Sequence, residues 1–353
     1  MGESVSTKRK TFRPVLSGRL SLAPSAPFDF SHSLSFVGER SKLPFGSSLS
    51  LVQFPHKKSE SDRALALAHV SALRVVTRIE GVALRLYIFA KSIQNGTHKE
   101  SDRPDEAPVE LTVEWAATEY ISGHSEFETR VPTLVESFVR RLLSLDLDLS
   151  PFYESLKKDK LLSAILSNAQ GLRPTLTPCV FDSAVLGVLS QQITLSFGVS
   201  LYQRVTEIYS ESIEAGGEIW RFGPDPSRLA NSSEEKLREL QVSQNKARTL
   251  IGLAQEIESG DLNLESMETQ SYDMAIDRLT QVKGIGPWTA NYILMRGVGH
   301  SDGFPLGDIG LQKALQNLLS LDKRPGNSQM TQIAEPFRPY RSLFTLYLWN
   351  SLN

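Results

Sequence analysis

RLTQVKGIGPWTANYILMRGVGHSDGFPLGDIGL (residues 278–311) holds a Gly-x-Gly turn, an apolar helix and a lone carboxylate, in that order. A helical pattern closes at Val282, Lys283-Gly284-Ile285-Gly286-Pro287 interrupts it, and a new helix begins behind the proline. Gly284 and Gly286 reach backbone angles closed to other residues, and Pro287 suits a first helical position. Such a turn aims unpaired amides outward, and amides gathered at a helix N-terminus attract an anion without any basic side chain. An ordinary interhelical turn fits the same residues, because Gly-rich connections between helices are common. Asp308, directly ahead of IGLQKALQNLL, reads as a helix N-cap. The dipole of that helix also favours a negative charge there.

The chain around this stretch has 353 residues, enough for two domains and a sizeable core. Its 40% hydrophobic and 22% charged content are those of a soluble globular protein, and no apolar run is long enough to span a bilayer. The net charge of −2 lacks the basic excess by which many nucleic-acid binders are known, yet binding through amides and helix termini leaves global charge nearly free. It predicts only a modest salt dependence. Cys179 is the only cysteine, which excludes an intramolecular disulfide, a structural cysteine-ligated zinc and a cysteine-ligated iron–sulfur cluster.

Residues 1–25 are rich in Ser, Arg and Lys and read as a flexible basic arm. Leu49–Phe54, Ala72–Ile79, Val82–Ala90 and Val109–Trp115 have the β-branched and aromatic content of strands, and together predict an antiparallel sheet domain over 26–130. The polar insert Lys91–Ala107 reads as a solvated loop between two of them. From Val131 the apolar spacing turns helical and stays so to the end, a second domain over 131–353. Within it Phe222–Pro226 reads as a turn-rich loop, Ser232–Leu240 as a capped helix, and Lys246 and Arg248 as residues of an exposed helix face or as phosphate contacts. The fold class is α+β, a sheet domain followed by an all-α domain.

GIGPWTANY followed by FPLGD resembles the helix-hairpin-helix DNA glycosylase superfamily, most closely its 3-methyladenine DNA glycosylase II branch. PFDFSHSLSF from Pro27, CVFDSAVLGVLSQQ from Cys179 and RPYRSLFTLYLW at 338–349 resemble further stretches of that family, so the matches run with gaps from Pro27 to Trp349. The resemblance places the helix-hairpin-helix at 278–295. It implies a backbone grip by Gly284, Ile285, Gly286, Trp288 and Thr289, and a catalytic carboxylate at Asp308. It implies a base pocket of Phe36, Trp288, Tyr292 and Tyr340, the last where a tryptophan is familiar, and a wedge at Gln191-Gln192 that fills the gap left by an extruded base. Each aromatic also reads as core, and the glutamine pair as a solvent-facing bend. Trp288 and Tyr292 lie one helical turn apart and share a face, so both are core or both are pocket.

Hydrolysis of an N-glycosidic bond makes the sugar cation-like, and a fixed anion near the anomeric carbon stabilises that transition state. The base must first leave the duplex, and a positively charged alkylated purine suits electron-rich aromatic faces. Members that also nick the backbone carry a Schiff-base lysine two residues after the second hairpin glycine; here that position is Trp288. The resemblance therefore implies base-excision repair by a monofunctional glycosylase that acts on alkylated purines such as 3-methyladenine in double-stranded DNA. A glycosylase for oxidised or deaminated bases, and a non-catalytic DNA-binding scaffold, are the alternatives. No cofactor or side-chain metal site is expected, although family hairpins can hold a monovalent cation through main-chain carbonyls. No membrane partner is expected, a monomer suits the task, and the expected location is cytoplasmic, with nucleus or organelle open.

Overall fold

The computed structural model describes residues 10–12, 14–25, 28, 33, 49–53, 71–92, 109–118, 125–158, 162–166, 169–215 and 217–352. Its strands are β1 (Lys10–Phe12), β2 (Pro14–Leu22), β3 (Leu49–Gln53), β4 (Ser71–Ile79), β5 (Val82–Ser92) and β6 (Val109–Thr118), followed by helices α1 (Ser125–Leu142), α2 (Ser150–Lys157), α3 (Val180–Ser190) and α4 (Leu195–Tyr209). A hairpin β7 (Ser210–Ala215) and β8 (Glu218–Pro224) interrupts the helices. Then come α5 (Pro226–Ala230), α6 (Glu234–Glu239), α7 (Gln244–Glu258), α8 (Tyr272–Gln281), α9 (Pro287–Ile293), α10 (Ile309–Leu318), α11 (Asn327–Ala334) and α12 (Arg341–Asn350). Sheet first and helices after is the α+β order that the sequence patterns predict.

Five strands form one antiparallel sheet in the order β2-β6-β5-β4-β3. Alternation puts Leu73, Val75, Leu84, Leu86, Ile88, Leu111 and Val113 on its buried face. Against them lies α1, whose Phe127, Val131, Val135, Val139 and Leu142 recur at helical spacing and are all buried. Each such side chain contributes roughly 1.5–3 kcal/mol by leaving water. Gly18 pairs with Trp115 across β2 and β6, and a Cβ at Gly18 would run into the indole, so only glycine lets that ring lie over the strand.

Three expectations change. The segment over residues 14–22, read as part of a flexible arm, is a paired edge strand, because Leu16, Leu20 and Leu22 alternate toward the core. The helical half is not all helix either. The hairpin β7–β8 turns Ile213, Ala215, Trp220 and Phe222 onto Val76, Ala83 and Ala116 of the five-stranded sheet, burying that sheet's second face. Phe222, expected in a loop, is thus a strand residue packed between two sheets. Helix α6 starts one residue later than expected, because Ser233 rather than Ser232 caps it by accepting from the Lys236 amide. The insert Lys91–Ala107, apart from Lys91 and Ser92 in β5, lies outside the described residues.

Two apolar clusters hold the helices. One continues from the sheet through α1, α3, α4, α7 and α9. The other gathers α2, α10, α11 and α12 around Phe152, Phe337, Phe344 and Tyr347, and Trp349 touches both. Helix α12 is buried from Arg341 through Leu348, so the closing segment is a central helix. No described helix is long and apolar enough to cross a membrane.

Asp182 in α3 is 2% exposed and accepts from the Tyr202 hydroxyl at 3.2 Å. Burial pushes its carboxyl up to about 7, against hydrogen bonds from Cys179 and Tyr202 that lower it. A folded value above the unfolded one of about 4 means that the native state holds this proton more tightly. The resulting stability is complete below about pH 4, is lost as pH rises toward 7, and stays lost above it. Asp182→Asn keeps an acceptor for Tyr202 and removes that loss. Urea melts should show the variant gaining on wild type between pH 4 and pH 8, by up to about 4 kcal/mol. Equal pH slopes for the two proteins would refute the assignment.

Candidate active site

Helix α8 ends at Gln281, and the turn to α9 is set by Gly284 at φ +92. A Cβ there would both strain the backbone and collide with Thr249 Oγ1 of α7, so the turn sits flush on that helix. Ile285 is 3% exposed and pins the turn to the core, its amide donating to the Val282 carbonyl at 3.0 Å. The helical ladder starts where the Ala290 amide donates to Gly286 at 2.9 Å; the amides of Trp288 and Thr289, ahead of it, have no upstream carbonyl in that ladder. Gly286 and Pro287 are exposed, which leaves this helix start open to solvent.

The turn after α3 is bolted to this hairpin. Gln191 Nε2 donates to the Gly284 carbonyl at 3.0 Å and to Thr289 Oγ1 at 2.9 Å. The side-chain amide of Gln191 is thus engaged inside the protein, while Gln192, at φ +55, is exposed beside it. Lys246 is neither a solvated face residue nor a phosphate contact: it is 8% exposed, and its Nζ donates to the Leu189 carbonyl at 2.7 Å, at the C-terminal end of α3. Arg248 pairs with Glu234 at 2.7 Å.

Along α9 the rings of Trp288 and Tyr292 stack 5.5 Å apart at 16°. Tyr292 is 7% exposed, 3.2 Å from where a Cβ on Gly187 would stand, so α3 and α9 pack as closely as glycine allows. Burial pushes the Tyr292 phenol up, against the neighbouring Arg296 guanidinium that lowers it. After a π-helical turn at Leu294–Val298 the chain enters the loop that delivers Asp308. Asn291 Oδ1 takes the Phe304 amide at 2.7 Å and the Tyr272 hydroxyl at 2.8 Å. Ser342 Oγ takes the Gly303 amide at 2.8 Å and donates to the His300 carbonyl at 2.6 Å. Asp302 receives a two-toothed contact from Arg341, at 2.7 and 2.9 Å, with both side chains 7% exposed.

Asp308 then caps α10, its Oδ1 accepting the Leu311 amide at 2.8 Å. Two indoles hold the rest of the carboxylate: Trp349 Nε1 donates to Oδ1 at 3.0 Å and Trp288 Nε1 to Oδ2 at 3.1 Å. A carboxylate has about four lone-pair sites, and these three bonds leave one, on Oδ2 beside the Trp288–Tyr292 stack. The sequence reading placed Trp288 in the pocket but missed both indole contacts; Trp349 stood in the closing signature without a role. Tyr340 is half-buried and packs in the second apolar cluster with Leu306, apart from the stack's own cluster. Phe36 lies outside the described residues. Among the described residues no cluster of His, Cys, Asp and Glu could hold a metal ion.

Residues 185–339, which span the glutamine turn, the hairpin and the capped carboxylate, match the model of the HhH-GPD superfamily base excision DNA repair proteins. A DNA-3-methyladenine glycosylase of Bacillus subtilis is 34% identical over 218 residues, 62% of this chain and 72% of its own. The chain belongs to the helix-hairpin-helix glycosylase superfamily, in its 3-methyladenine DNA glycosylase II family. A second relative of this glycosylase, DNA-3-methyladenine glycosylase 2 of Escherichia coli, is 30% identical over 181 residues, 51% of this chain and 60% of that one. The likeness in fold reaches further than the likeness in sequence. The 3-methyladenine DNA glycosylase of Archaeoglobus fulgidus superposes with a TM-score of 0.68 at 20% identity, covering 94% of this chain and 97% of its own. That alignment takes in the sheet as well as the helices.

Proposed function

We propose that this glycosylase hydrolyses the N-glycosidic bond of alkylated purines, 3-methyladenine among them, in double-stranded DNA, leaves an abasic site, and acts as a monomer without cutting the backbone. One observation carries the reading: the Asp308 carboxylate is fixed by two indole N–H groups and a helix amide next to a stacked aromatic pair. Fixed charge needs no reorganisation when a sugar cation develops, and that is the source of its advantage over water. The stacked rings offer the electron-rich surface that a cationic alkylated purine prefers. The open lone pair of Oδ2 serves either the sugar cation or a water molecule. The hairpin amides suit a phosphate, and exposed Gln192 is our candidate for the residue that enters the duplex when the base leaves.

The monofunctional reading rests on Trp288. Two residues after Gly286 its side chain is a carboxylate-bound indole, and the nearest lysine in sequence, Lys283, precedes the hairpin. Wild-type protein incubated with methylated duplex should release free 3-methyladenine, leave the abasic strand uncut, and form no borohydride-stable adduct. Recovery of such an adduct would replace the hydrolytic route with an imine route. Release of oxidised or deaminated bases in place of alkylated ones would overturn the substrate.

A further inference from the structure

Most basic side chains in the helical half are already engaged: Arg140 with Glu136 and Asp146, Arg228 with Asp225, Arg278 with Glu256, and Arg338 and Arg341 with Asp302. Lys158, Lys236, Arg238 and Lys283 are exposed without an ion pair among the described residues, and so are Lys313, Lys323 and Arg324. The last three stand apart by lying on the stretch that follows Asp308. They lie on the helix that Asp308 caps and on the return that follows it. Helix α10 starts just behind its cap Asp308, and Ile309, 65% exposed, shares its outer face with Lys313 one turn further on. The chain after α10 then folds back along it, Gln316 Nε2 reaching the Leu321 and Asp322 carbonyls at 3.3 and 3.4 Å. That return carries Lys323 and Arg324 to the start of α11, where Asn327 Oδ1 stands 3.8 Å from a Cβ position on Gly307, the residue before Asp308. Apart from Asp308, the only acidic residue from 303 to 334 is Asp322.

We propose that Lys313, Lys323 and Arg324 form a second contact to the backbone of duplex DNA, so that Asp308 lies between two phosphate-binding stretches, the hairpin reached through Trp288 and this basic face reached through Gly307. The proposal rests on reading the chain as a DNA glycosylase. Charge complementarity commits the surface to a polyanion, and its continuity with the mouth of the site commits that polyanion to the strand carrying the damaged base. Held at the hairpin alone, a duplex can pivot about one point. A second contact beyond the carboxylate fixes its direction across the site. Hairpin amides alone predict the modest salt dependence expected from the sequence; three unpaired cations add counterion release.

The test is anisotropy with duplex containing an uncleavable abasic analogue, titrated from low to high salt. Lys313, Lys323 and Arg324 are replaced together by alanine and compared with wild type and with a control of equal charge loss, Lys157, Lys158 and Arg221 to alanine. The slope of log K against log salt should flatten by about 0.9 per contact, roughly 2.7 for the triple variant, so the affinity lost on a fourfold rise in salt shrinks about 40-fold. The control should keep the wild-type slope. An unchanged slope in the triple variant overturns the proposal. So does equal flattening in the control, which would make the effect one of overall charge. Base release by wild type, measured on the same preparation, decides the glycosylase reading separately, because the salt slope does not depend on chemistry.

Discussion

Asparagine at position 308 should lower single-turnover base release by roughly 10²–10³-fold while leaving stability and DNA affinity close to wild type. The separation follows from the geometry. Asparagine caps helices about as well as aspartate, so the Leu311 amide keeps its acceptor. The other position of the side chain becomes an NH₂ facing the Trp288 indole N–H, donor against donor, where the aspartate oxygen accepts at 3.1 Å. Charge and lone pair vanish together at the point where a sugar cation would form, and the hairpin is untouched. A variant that released base at the wild-type rate would remove Asp308 from the chemistry. A variant that lost DNA binding as well would make the carboxylate structural.

Truncation of Asp302 to alanine is expected to cost about 3–5 kcal/mol in urea unfolding, with base release falling in step as the site loosens. Asp302 neutralises Arg341 inside the protein, by two side-chain bonds and a third to its own carbonyl at 3.0 Å, and accepts from Arg338 at 3.1 Å. Without it the Arg341 guanidinium remains 6% exposed with its charge uncompensated. The same residue anchors the loop whose end is Asp308, so its loss acts on the carboxylate's position as well as on stability. Combining Asp302→Ala with Arg341→Leu should recover much of the lost stability, because the penalty lies mostly in the orphaned charge. A single-variant cost under about 1 kcal/mol would show that water reaches the pair and that the loop is held by other contacts.

The parts of this molecule legible in its sequence are those whose signal is local. Gly284, Gly286 and Pro287 announce a turn and a helix start within five residues, and the four strands between Leu49 and Thr118 announce themselves by composition. Asp308 announces a cap by its position before an apolar helix. The parts that stayed hidden depend on partners distant in sequence. SESIEA, the text of β7, shows no strong strand signal, and its inward side chains make sense only against Val76, Ala83 and Ala116 of another sheet. Lys246 reads as a surface lysine until the end of α3 is seen to supply its carbonyl. Trp349 lies 41 residues from the carboxylate it holds, and no periodicity connects them. Gln191 could be suspected of a role, but its partners, on the hairpin 93 and 98 residues away, could not be named.

The small strand β1 pairs in parallel with β7, Lys10 opposite Ile213 and Phe12 opposite Ala215, more than two hundred residues apart in the chain. During translation β4 and β5 can zip through their two-residue turn as soon as both emerge, and β6 can join them shortly afterwards. The N-terminal strand has no partner yet. At typical synthesis rates it waits on the order of ten to forty seconds, while more than half of the chain is made. Order of synthesis and order of assembly therefore differ here: β1 is made ahead of β2 to β6 yet finds its neighbour after β4, β5 and β6 have paired, and a nascent chain carries an open strand edge until β7 appears.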